Sequence, residues 1–289
     1  MFSRALGLAV LACAALLACA KPAAVHPALW RVEGPGGQQA WLFGTIHALP
    51  EPVEWRSAPI EAALAASDRL LLEVAQIDND AATAQAFAAL AQSPGLPPLE
   101  ARVPPQLRAE LAAAMRLDKM PRGALDPYET WAAALMLQQA AAQAGKADAA
   151  NGIDRALLRG YAGPVGEFEG AAAQLAIFDT LPERIQRDLL AAAIGEQDQT
   201  ASALRQLEQA WAKGDLAAIE RETDRDFLTD PVLRGALLVN RNRAWLDKLT
   251  ALLRGGARPF VAVGAAHLVG PDGLPALLTA QGYTVSRLQ

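Results

Sequence analysis

Cysteine and histidine are scarce in this sequence, and their scarcity excludes several kinds of active site. The 289 residues include two cysteines, Cys13 and Cys19, and three histidines. Because both cysteines lie near the N-terminus, the rest of the chain has no disulfide and no thiol nucleophile. The sequence also lacks Gly-x-Ser-x-Gly and His-Glu-x-x-His, so it carries neither the serine motif of the α/β-hydrolases nor the common zinc-peptidase helix.

Positive charge and aromatic side chains are sparse as well. The formal net charge is −5, and no cluster of lysine and arginine is present, which argues against a nucleic-acid partner. Aromatic residues make up 6% of the chain, and no aromatic-rich segment is available to stack on a porphyrin. Apolar residues make up 52% and include much alanine, which predicts a helix-rich globular protein with lean cores.

The first twenty residues have the pattern of a secretory signal. Arg4 is their one positive charge, and small or apolar side chains follow it without interruption over residues 5–18. This run is too short to span a bilayer comfortably and has polar residues on both sides, which is typical of a cleaved signal rather than an anchor helix.

The end of this segment predicts lipidation. Leu16-Leu17-Ala18-Cys19 resembles the bacterial lipobox, in which the cysteine becomes the lipidated first residue of the mature protein. We therefore expect a signal peptide over residues 1–18, a lipid on Cys19 and a short tether over residues 19–27. Simple cleavage after residues 18–20 is the alternative. Lipidation would place the protein in the cell envelope, on the periplasmic side, with the outer membrane favoured over the inner one.

One pattern occurs twice, near the two ends of the chain. The apolar run Trp41-Leu42-Phe43 leads into Gly44-Thr45-Ile46-His47, and Phe260-Val261-Ala262-Val263 leads into Gly264-Ala265-Ala266-His267. Each run predicts a buried strand, so both histidines should follow the carboxyl ends of strands, where open α/β sheets bind ligands. We expect the two histidines to converge on one site, with metal binding as the hypothesis. Hydrogen-bonded turn histidines are the alternative.

A glutamate follows another predicted strand. Residues 69–75 read as a central strand with Glu73 near its carboxyl end. Burying a carboxylate there is costly unless a metal ion or an arginine stabilises it. Glu73 is therefore a candidate functional carboxylate, and an ordinary edge-strand acid is the alternative.

Two further positions suggest partners inside the fold. A short strand predicted from Val165 ends at Glu169. Downstream, a helix predicted over residues 230–255 has Arg241 and Asn242 where its apolar stripe should continue. Inward-facing polar side chains need partners such as a carboxylate or a bound substrate. Alternatively, both side chains lie at the edge of the stripe and reach solvent.

Helices dominate the segments between the predicted strands. We expect a helical insertion over about residues 76–150 and 170–256. Asp126-Pro127 predicts the start of a helix that runs to Ala144. Asn151 predicts the cap of the next helix, in which Asp154 takes the third position, a routine place for a carboxylate.

These motifs together resemble the TraB/PrgY/GumN family, whose animal relatives are the Tiki metalloproteases. The resemblance covers most of the mature chain, although residues 75–150 contribute little to it. It is carried by the following segments: Leu42 to His47, Leu71 to Glu73, Gly152 to Asp154, Pro164 to Glu169 with Gln174, Arg241-Asn242, Val263 to Leu268, Gly273-Leu274 and Gly282-Tyr283.

The resemblance implies an α/β fold, with a central mixed sheet flanked by helices, related to erythromycin-esterase-like and haem-binding ChaN-like proteins. For the Tiki members it implies a peptidase that depends on a divalent metal, with manganese or cobalt supporting activity; zinc stays open here. In this sequence His47 and His267 would be the imidazole ligands, and Glu73 would be a carboxylate ligand or the general base. Glu169 and Asp154 would be supporting acids.

These residue types fit a metal-dependent hydrolase acting on a peptide or a small molecule. Two imidazoles and a carboxylate leave coordination positions open, so a water can be acidified and an amide carbonyl polarised. A second carboxylate can then move the proton. Arg241, if it reaches the cavity, can hold a substrate carboxylate or the developing oxyanion.

Two other functions compete with hydrolysis. One is a haem or metal carrier of the ChaN-like fold, and the other is a non-catalytic regulator of the envelope or of polysaccharide export. Glu73 separates the first alternative from hydrolysis, because hydrolysis needs a carboxylate beside the histidines and haem ligation does not.

Overall fold

The computed structural model describes residues 23–77, 80–117, 119–195 and 197–289. The predicted signal peptide and the lipidation site at Cys19 lie outside the described residues. Residues 23–27, which the sequence assigned to a tether, pack against the domain instead, because Val25 is apolar and finds a buried position. Its amide donates to the carbonyl of Glu54 at 3.0 Å. No helix in the described ranges is both long and apolar enough for a membrane span.

A six-stranded mixed sheet forms the centre of the molecule, and it confirms the predicted α/β fold. In chain order the strands are β1 (Leu29–Glu33), β2 (Gln39–Thr45), β3 (Arg69–Leu72), β4 (Val165–Glu167), β5 (Pro259–Gly264) and β6 (Thr284–Arg287). They lie in the order β4-β3-β5-β2-β1-β6 across the sheet.

Four of these strands run parallel to one another. β5 pairs in parallel with both β2 and β3, and β3 pairs in parallel with β4, whereas β1 is antiparallel to β2 and β6. The carboxyl ends of β2, β3, β4 and β5 therefore meet at one side of the sheet, which we call the carboxyl edge. The chain leaves these strands at Thr45, Leu72, Glu167 and Gly264.

Apolar side chains cover both faces of the sheet, because neighbouring residues of a strand point to opposite sides. Phe43, Leu72 and Phe260 belong to the core on one face, and Leu42 and Val261 belong to the core on the other. The second face packs against the apolar side of the long helix that precedes β5.

Helices fill the chain between β3 and β4 and between β4 and β5. A separate helical core includes Leu111, Leu137, Ile185 and Leu190. In chain order the α-helices are α1 (Ala58–Ala66), α2 (Asp80–Leu90), α3 (Leu99–Arg102), α4 (Arg108–Leu117), α5 (Thr130–Ala144), α6 (Ile153–Gly160), α7 (Ala171–Asp179), α8 (Glu183–Ile194), α9 (Gln197–Ala212), α10 (Leu216–Thr223), α11 (Pro231–Arg234), α12 (Asn240–Arg254) and α13 (Leu274–Ala280).

One predicted helix start and one predicted helix cap are wrong. α5 begins at Thr130 rather than after Asp126, because the Asp126 carboxylate accepts a hydrogen bond from the distant Leu99 amide at 2.9 Å. α6 has no side-chain cap, since Asn151 donates to the carbonyl of Leu49 at 3.1 Å. In both cases a tertiary partner takes the side chain that local sequence assigned to a cap.

The single helix predicted over residues 230–255 is also interrupted. α11 ends at Arg234, a π-helical turn follows over Gly235–Val239, and α12 begins at Asn240. A π-helical turn adds a residue to the helical repeat, and such turns occur frequently at functional sites. The turn shifts the face that the following residues present to the sheet.

Candidate functional site

Three of the residues singled out from the sequence surround one glycine at the carboxyl edge. A Cβ atom placed on Gly264 would lie 3.3 Å from Oε1 of Glu73, 3.5 Å from Nε2 of His47 and 3.7 Å from Cδ2 of His267. The missing side chain at this position leaves space between the three groups. Gly44, at the end of β2, allows the close approach of Ala265, whose Cα would lie 3.4 Å from an added Cβ.

His47 is held by a carboxylate from the helical part of the chain. Its Nδ1 lies 2.8 Å from Oδ2 of Asp154, and the hydroxyl of Thr45 donates to Oδ1 of the same carboxylate at 2.6 Å. Because Asp154 accepts at Nδ1, that nitrogen carries a proton and Nε2 points away from the carboxylate. The imidazole is 66% exposed, so His47 is the solvent-facing member of the site.

His267 is the buried counterpart. Its Nδ1 lies 2.6 Å from Oδ1 of Asn242, and the amide nitrogen of Asn242 donates to the carbonyl of Asp272 at 2.8 Å. That second bond fixes the orientation of the amide, so Nδ1 of His267 is the donor and Nε2 carries the lone pair. Trp245 covers the ring, with centroids 4.4 Å apart, and only 5% of the His267 side chain is exposed.

Glu73 is buried and receives hydrogen bonds on both oxygens. Oε1 accepts from the Gly264 amide at 2.7 Å, while Oε2 accepts from Arg241 at 2.6 Å and from Gln174 at 3.2 Å. Oε1 also lies 3.9 Å from Nε2 of His267. An arginine therefore stabilises the carboxylate. The sequence predicted either an arginine or a metal ion as the partner of a glutamate buried at this position.

The guanidinium of Arg241 lies between two carboxylates and an imidazole. Nε donates to Oε1 of Glu169 at 3.0 Å, and Nη2 donates to Glu73 and Glu169. Nη1 donates to the carbonyl of Leu237 at 3.1 Å and lies 3.1 Å from Nε2 of His267. An arginine has five N–H groups, and these contacts use all of them.

Glu169 completes this group of charges. Besides its contacts with Arg241, Oε2 accepts from Nε1 of Trp245 at 3.1 Å. Trp245 also stacks on Phe168, with ring centroids 5.0 Å apart, and lies under the Arg241 guanidinium at 4.6 Å. Two carboxylates thus share one arginine in a largely buried setting.

The electrostatics differ sharply between the two histidines. The Asp154 carboxylate, with a smaller effect of Glu73, raises the pKa of His47 to about 9, although the exposure of the ring lets solvent weaken this attraction. Burial lowers the pKa of His267 to about 3. At neutral pH the outer ring is therefore protonated and the inner ring is neutral.

Glu73 stays ionised despite its burial. Burial raises the pKa of its carboxyl, but His267, His47, Arg241 and the Gly264 amide together lower it to about 2. Because His267 is neutral at pH 7, the cations that act on Glu73 there are Arg241 and protonated His47. The Arg241 pKa is raised in turn: burial lowers it, and Glu73 and Glu169 outweigh burial.

The sequence profile of the TraB/PrgY/gumN family matches residues 28–287. The chain belongs to this family. Among curated relatives, the proteins named uncharacterized protein YbaP from Shigella flexneri and from Escherichia coli (strain K12) are each 28% identical over 247 residues, which cover 84% of this chain and 89% of the relative. No solved structure matches the chain. Since both relatives are named as uncharacterised, these matches give the family without an activity.

In this TraB-family chain the predicted site residues form two groups that meet at Gly264. The first joins His47 to Asp154, and the second joins Glu73, Arg241, Glu169, His267 and Asn242. Arg241 and Asn242 face the interior of the protein and do not lie at the solvent-exposed edge of the apolar stripe. The π-helical turn before α12 directs both side chains at the carboxyl edge. The catalytic roles assigned to these residues stay predictions.

Three residues of the TraB-family site received no role of their own from the sequence. Thr45 lies inside the first Gly-x-x-His motif and binds Asp154. Trp245 follows Arg241 by one helical turn, so the two side chains share a face of α12. At Gly152, a Cβ would lie 2.2 Å from the carbonyl oxygen of His47, and only glycine permits that approach. Helical spacing could have revealed Trp245, whereas Gly152 required the tertiary structure.

The two imidazoles and the carboxylate of this site are suitable ligands for a divalent metal, but Arg241 occupies hydrogen-bonding positions on two of them. Both imidazoles are oriented through Nδ1 by a carboxylate or an amide, as is usual for metal-binding histidines, and Glu73 supplies a carboxylate beside them. However, within the described ranges no three His, Cys, Asp or Glu side chains are grouped closely enough to hold a metal ion. Arg241 contacts both Glu73 and Nε2 of His267.

Proposed function

We propose that this protein is a metal-dependent hydrolase and that His47, Glu73 and His267 hold the metal. The observation that carries the proposal is the shared orientation of the two imidazoles. Asp154 and Asn242 take the Nδ1 atoms, which leaves each Nε2 as the ligand atom, and both rings border the space beside Gly264. Structural turn histidines would not need matched Nδ1 partners from two distant helices.

The charges of the site favour a bound cation. Glu73, Glu169 and Asp154 contribute three negative charges, and Arg241 offsets one of them. The raised pKa of His47 reflects this excess, because the site attracts a proton to the imidazole. A divalent cation at Nε2 of His47 would replace that proton and balance the remaining charge. The same excess would repel an anionic ligand.

When bound, a divalent metal would supply Lewis-acid polarisation of a substrate carbonyl and activation of a water. The chain's own residues orient the ligands and shape the space around them. Trp245 covers the buried ring of His267 and excludes water from that side. The low pKa of Glu73 makes this carboxylate a good ligand and a poor general base, since a base works best with a pKa near the working pH.

Peptide bonds are the substrate class that we propose, on the resemblance to the Tiki metalloproteases. Arg241 does not offer a free donor to a substrate in this arrangement, because all five of its N–H groups have acceptors within the protein. A role in binding a substrate carboxylate would require Arg241 to give up one of these partners.

Haem binding is less well supported than hydrolysis. The imidazole of His267 is buried beneath Trp245, and its Nε2 faces Arg241 and Glu73, two charged groups that a porphyrin plane would have to displace. A porphyrin also needs an apolar slot beside its axial ligand. The immediate neighbours of Nε2 at this edge are ionic instead.

We further propose that the protein acts in the bacterial cell envelope, held by a lipid on Cys19. This part of the proposal rests on the N-terminal sequence alone. Labelling with a radioactive fatty acid in the wild type and in Cys19→Ala tests it. Equal labelling of the two proteins would contradict lipidation at Cys19.

Metal analysis of the purified mature protein tests the hydrolase proposal directly. We expect about one manganese, cobalt or zinc ion per chain, and we expect His47→Ala and His267→Ala each to abolish binding while the circular dichroism spectrum stays unchanged. His26→Ala is the matched control, because His26 is the third histidine and lies exposed outside the site. Equal metal content in the wild type and in both site variants would contradict the proposal.

A second measurement separates the two roles open to Glu73. With a mixture of peptides as substrate, Glu73→Gln should reduce both metal affinity and turnover if the carboxylate is a ligand. If Glu73 is instead the base, turnover should fall far more than metal affinity. Unchanged turnover and unchanged affinity would show that Glu73 has neither role.

A further inference from the structure

Arg241 contacts two of the side chains that the proposed metal would need. The neutral ring of His267 has one lone pair, on Nε2, because Nδ1 donates its proton to Asn242. Nη1 of Arg241 lies 3.1 Å from that nitrogen, and Nη2 donates to Oε2 of Glu73 at 2.6 Å. A lone pair that accepts an N–H cannot at the same time coordinate a cation.

The remaining contacts of Arg241 would hold it in place if these two were lost. Nε and Nη2 both reach Glu169, and Nη1 reaches the carbonyl of Leu237. The guanidinium also lies 4.6 Å from the ring centre of Trp245. A small displacement towards Glu169 would therefore release Glu73 and His267 without leaving the arginine unpaired.

Arg241 follows an irregular turn of the helix. Arg241 is the second residue of α12, directly after the π-helical turn Gly235–Val239. The carbonyl that its Nη1 binds, that of Leu237, belongs to the same turn. A Cβ on Gly235 would meet no atom within 4 Å, so the start of the turn is not tightly enclosed.

We propose that Arg241 is an internal competitor of the metal. In the metal-free protein its guanidinium holds Nε2 of His267 and one carboxylate oxygen of Glu73. A divalent cation binds by displacing it from these two side chains while Glu169 retains it. This inference rests on the proposed function, and it adds that the metal site is closed by the protein's own cation until metal is supplied. Removal of the two hydrogen bonds should therefore strengthen metal binding.

Calorimetric titration of Mn²⁺ into the full mature chain tests the competition. We expect Arg241→Met to bind Mn²⁺ at least about tenfold more tightly than the wild type. Because this variant leaves Glu73 and Glu169 without their arginine, it should also melt at a lower temperature without metal and gain more in melting temperature when Mn²⁺ is added. Arg243→Met is the matched control, since Arg243 is exposed on the same helix.

Arg241→Lys separates competition for hydrogen bonds from simple charge repulsion, and it serves if the methionine variant does not fold. Lysine keeps the positive charge but cannot contact Glu169, Glu73 and His267 at once. Competition predicts tighter Mn²⁺ binding in the lysine variant as well. Tighter binding in Arg241→Met alone would indicate charge repulsion and would overturn the inference.

The remaining outcomes distinguish this inference from the proposed function. If the wild type binds Mn²⁺ and neither Arg241 variant binds it more tightly, Arg241 is no competitor, and the hydrolase proposal still stands. If the variants bind Mn²⁺ and the wild type does not, the competition is supported in its strongest form. If no protein binds Mn²⁺, Co²⁺ or Zn²⁺, both proposals fail.

Discussion

Oδ2 of Asp154 lies 2.8 Å from Nδ1 of His47, although 107 positions separate the two residues in the sequence. The contact joins the first turn of α6 to the loop after β2. The amide of Ile153 supports it by donating to the carbonyl of Ile46 at 2.9 Å. Through this pair the helical insertion determines the orientation of a ring that the sheet presents.

Replacement of this carboxylate should lower the pKa of His47. In Asp154→Asn the amide oxygen can still accept from Nδ1, so the ring keeps its orientation while the largest cause of the raised pKa is removed. We expect the pKa to fall from about 9 towards its ordinary value of 6.5, as measured by NMR titration of the histidine ring protons. Asp247→Asn, exposed on α12, is the control. An unchanged His47 titration in Asp154→Asn would contradict this account of the pair.

Removal of the amide behind the other ring should weaken metal binding. Asn242→Leu leaves Nδ1 of His267 and the Asp272 carbonyl without partners, and each buried unpaired group costs about 1–3 kcal/mol of stability. Loss of such a supporting contact typically lowers metal affinity by about 10- to 100-fold. Urea unfolding and Mn²⁺ calorimetry measure the two effects, with the exposed Asn240→Leu as the control. Wild-type stability of Asn242→Leu would rule out the hydrogen bonds as described.

A methyl group at Gly264 should fill the space between the proposed ligands. In Gly264→Ala the new Cβ would lie within 3.7 Å of Glu73, His47 and His267. Overpacking costs about 1–3 kcal/mol, and the same cost in the metal-bound state corresponds to about 5- to 140-fold in affinity. Mn²⁺ calorimetry should therefore show weaker binding. The control is Gly235→Ala, whose Cβ meets no atom within 4 Å. Equal weakening of Mn²⁺ binding in both variants would contradict a metal site beside Gly264.

The metal-free protein should be most stable near pH 6.5. Between pH 6.5 and about 3 His267 is protonated in the unfolded chain but not in the folded chain, so the free energy of unfolding falls as the pH falls. Glu73 adds to this loss between pH 4.5 and about 2, because its carboxylate is also protonated in the unfolded chain first. Above 6.5 the folded chain keeps the His47 proton up to about pH 9, so stability falls as the pH rises. Urea unfolding in the presence of a chelator measures this profile.

The variant His267→Gln tests whether His267 causes the loss of stability below pH 6.5. Its unfolding free energy should change less between pH 6.5 and 4.5 than that of the wild type, because the buried imidazole is gone. His26→Gln should keep the wild-type slope there. The same slope in His267→Gln and in the wild type would show that His267 does not titrate between the folded and unfolded states as described.

The sequence was sufficient to predict the strands that carry the site. Each Gly-x-x-His motif follows an apolar run, and an apolar run bounded by glycine and proline has few alternatives to a buried strand. The short strand before Glu169 and the strand before Glu73 were found in the same way. Because open α/β sheets bind ligands past the carboxyl ends of their strands, the meeting of His47 and His267 at one edge was an expectation from the residues. The place of Glu169 beside them was implied only by the family resemblance.

The central place of Arg241 could not be predicted from the sequence. Its position in the apolar stripe of a helix indicated that it needed a partner, but a partner on a different strand has no local signature. The π-helical turn that aims it inward also has none, since Gly235–Val239 suits an α-helix equally well. Similarly, the failure of Asp126 and Asn151 to cap helices depended on carbonyl and amide groups that only the folded chain brings near.

The order of the strands also bears on how the protein is made. β5 lies in the middle of the sheet, between β3 and β2, yet it is the fifth of six strands to leave the ribosome. Until residues 259–264 emerge, β2 and β3 have no common neighbour, and each presents an open edge that another chain could pair with. We therefore expect the chain to depend on chaperones until β5 is available for pairing, and shortened chains that lack β5 to aggregate rather than fold.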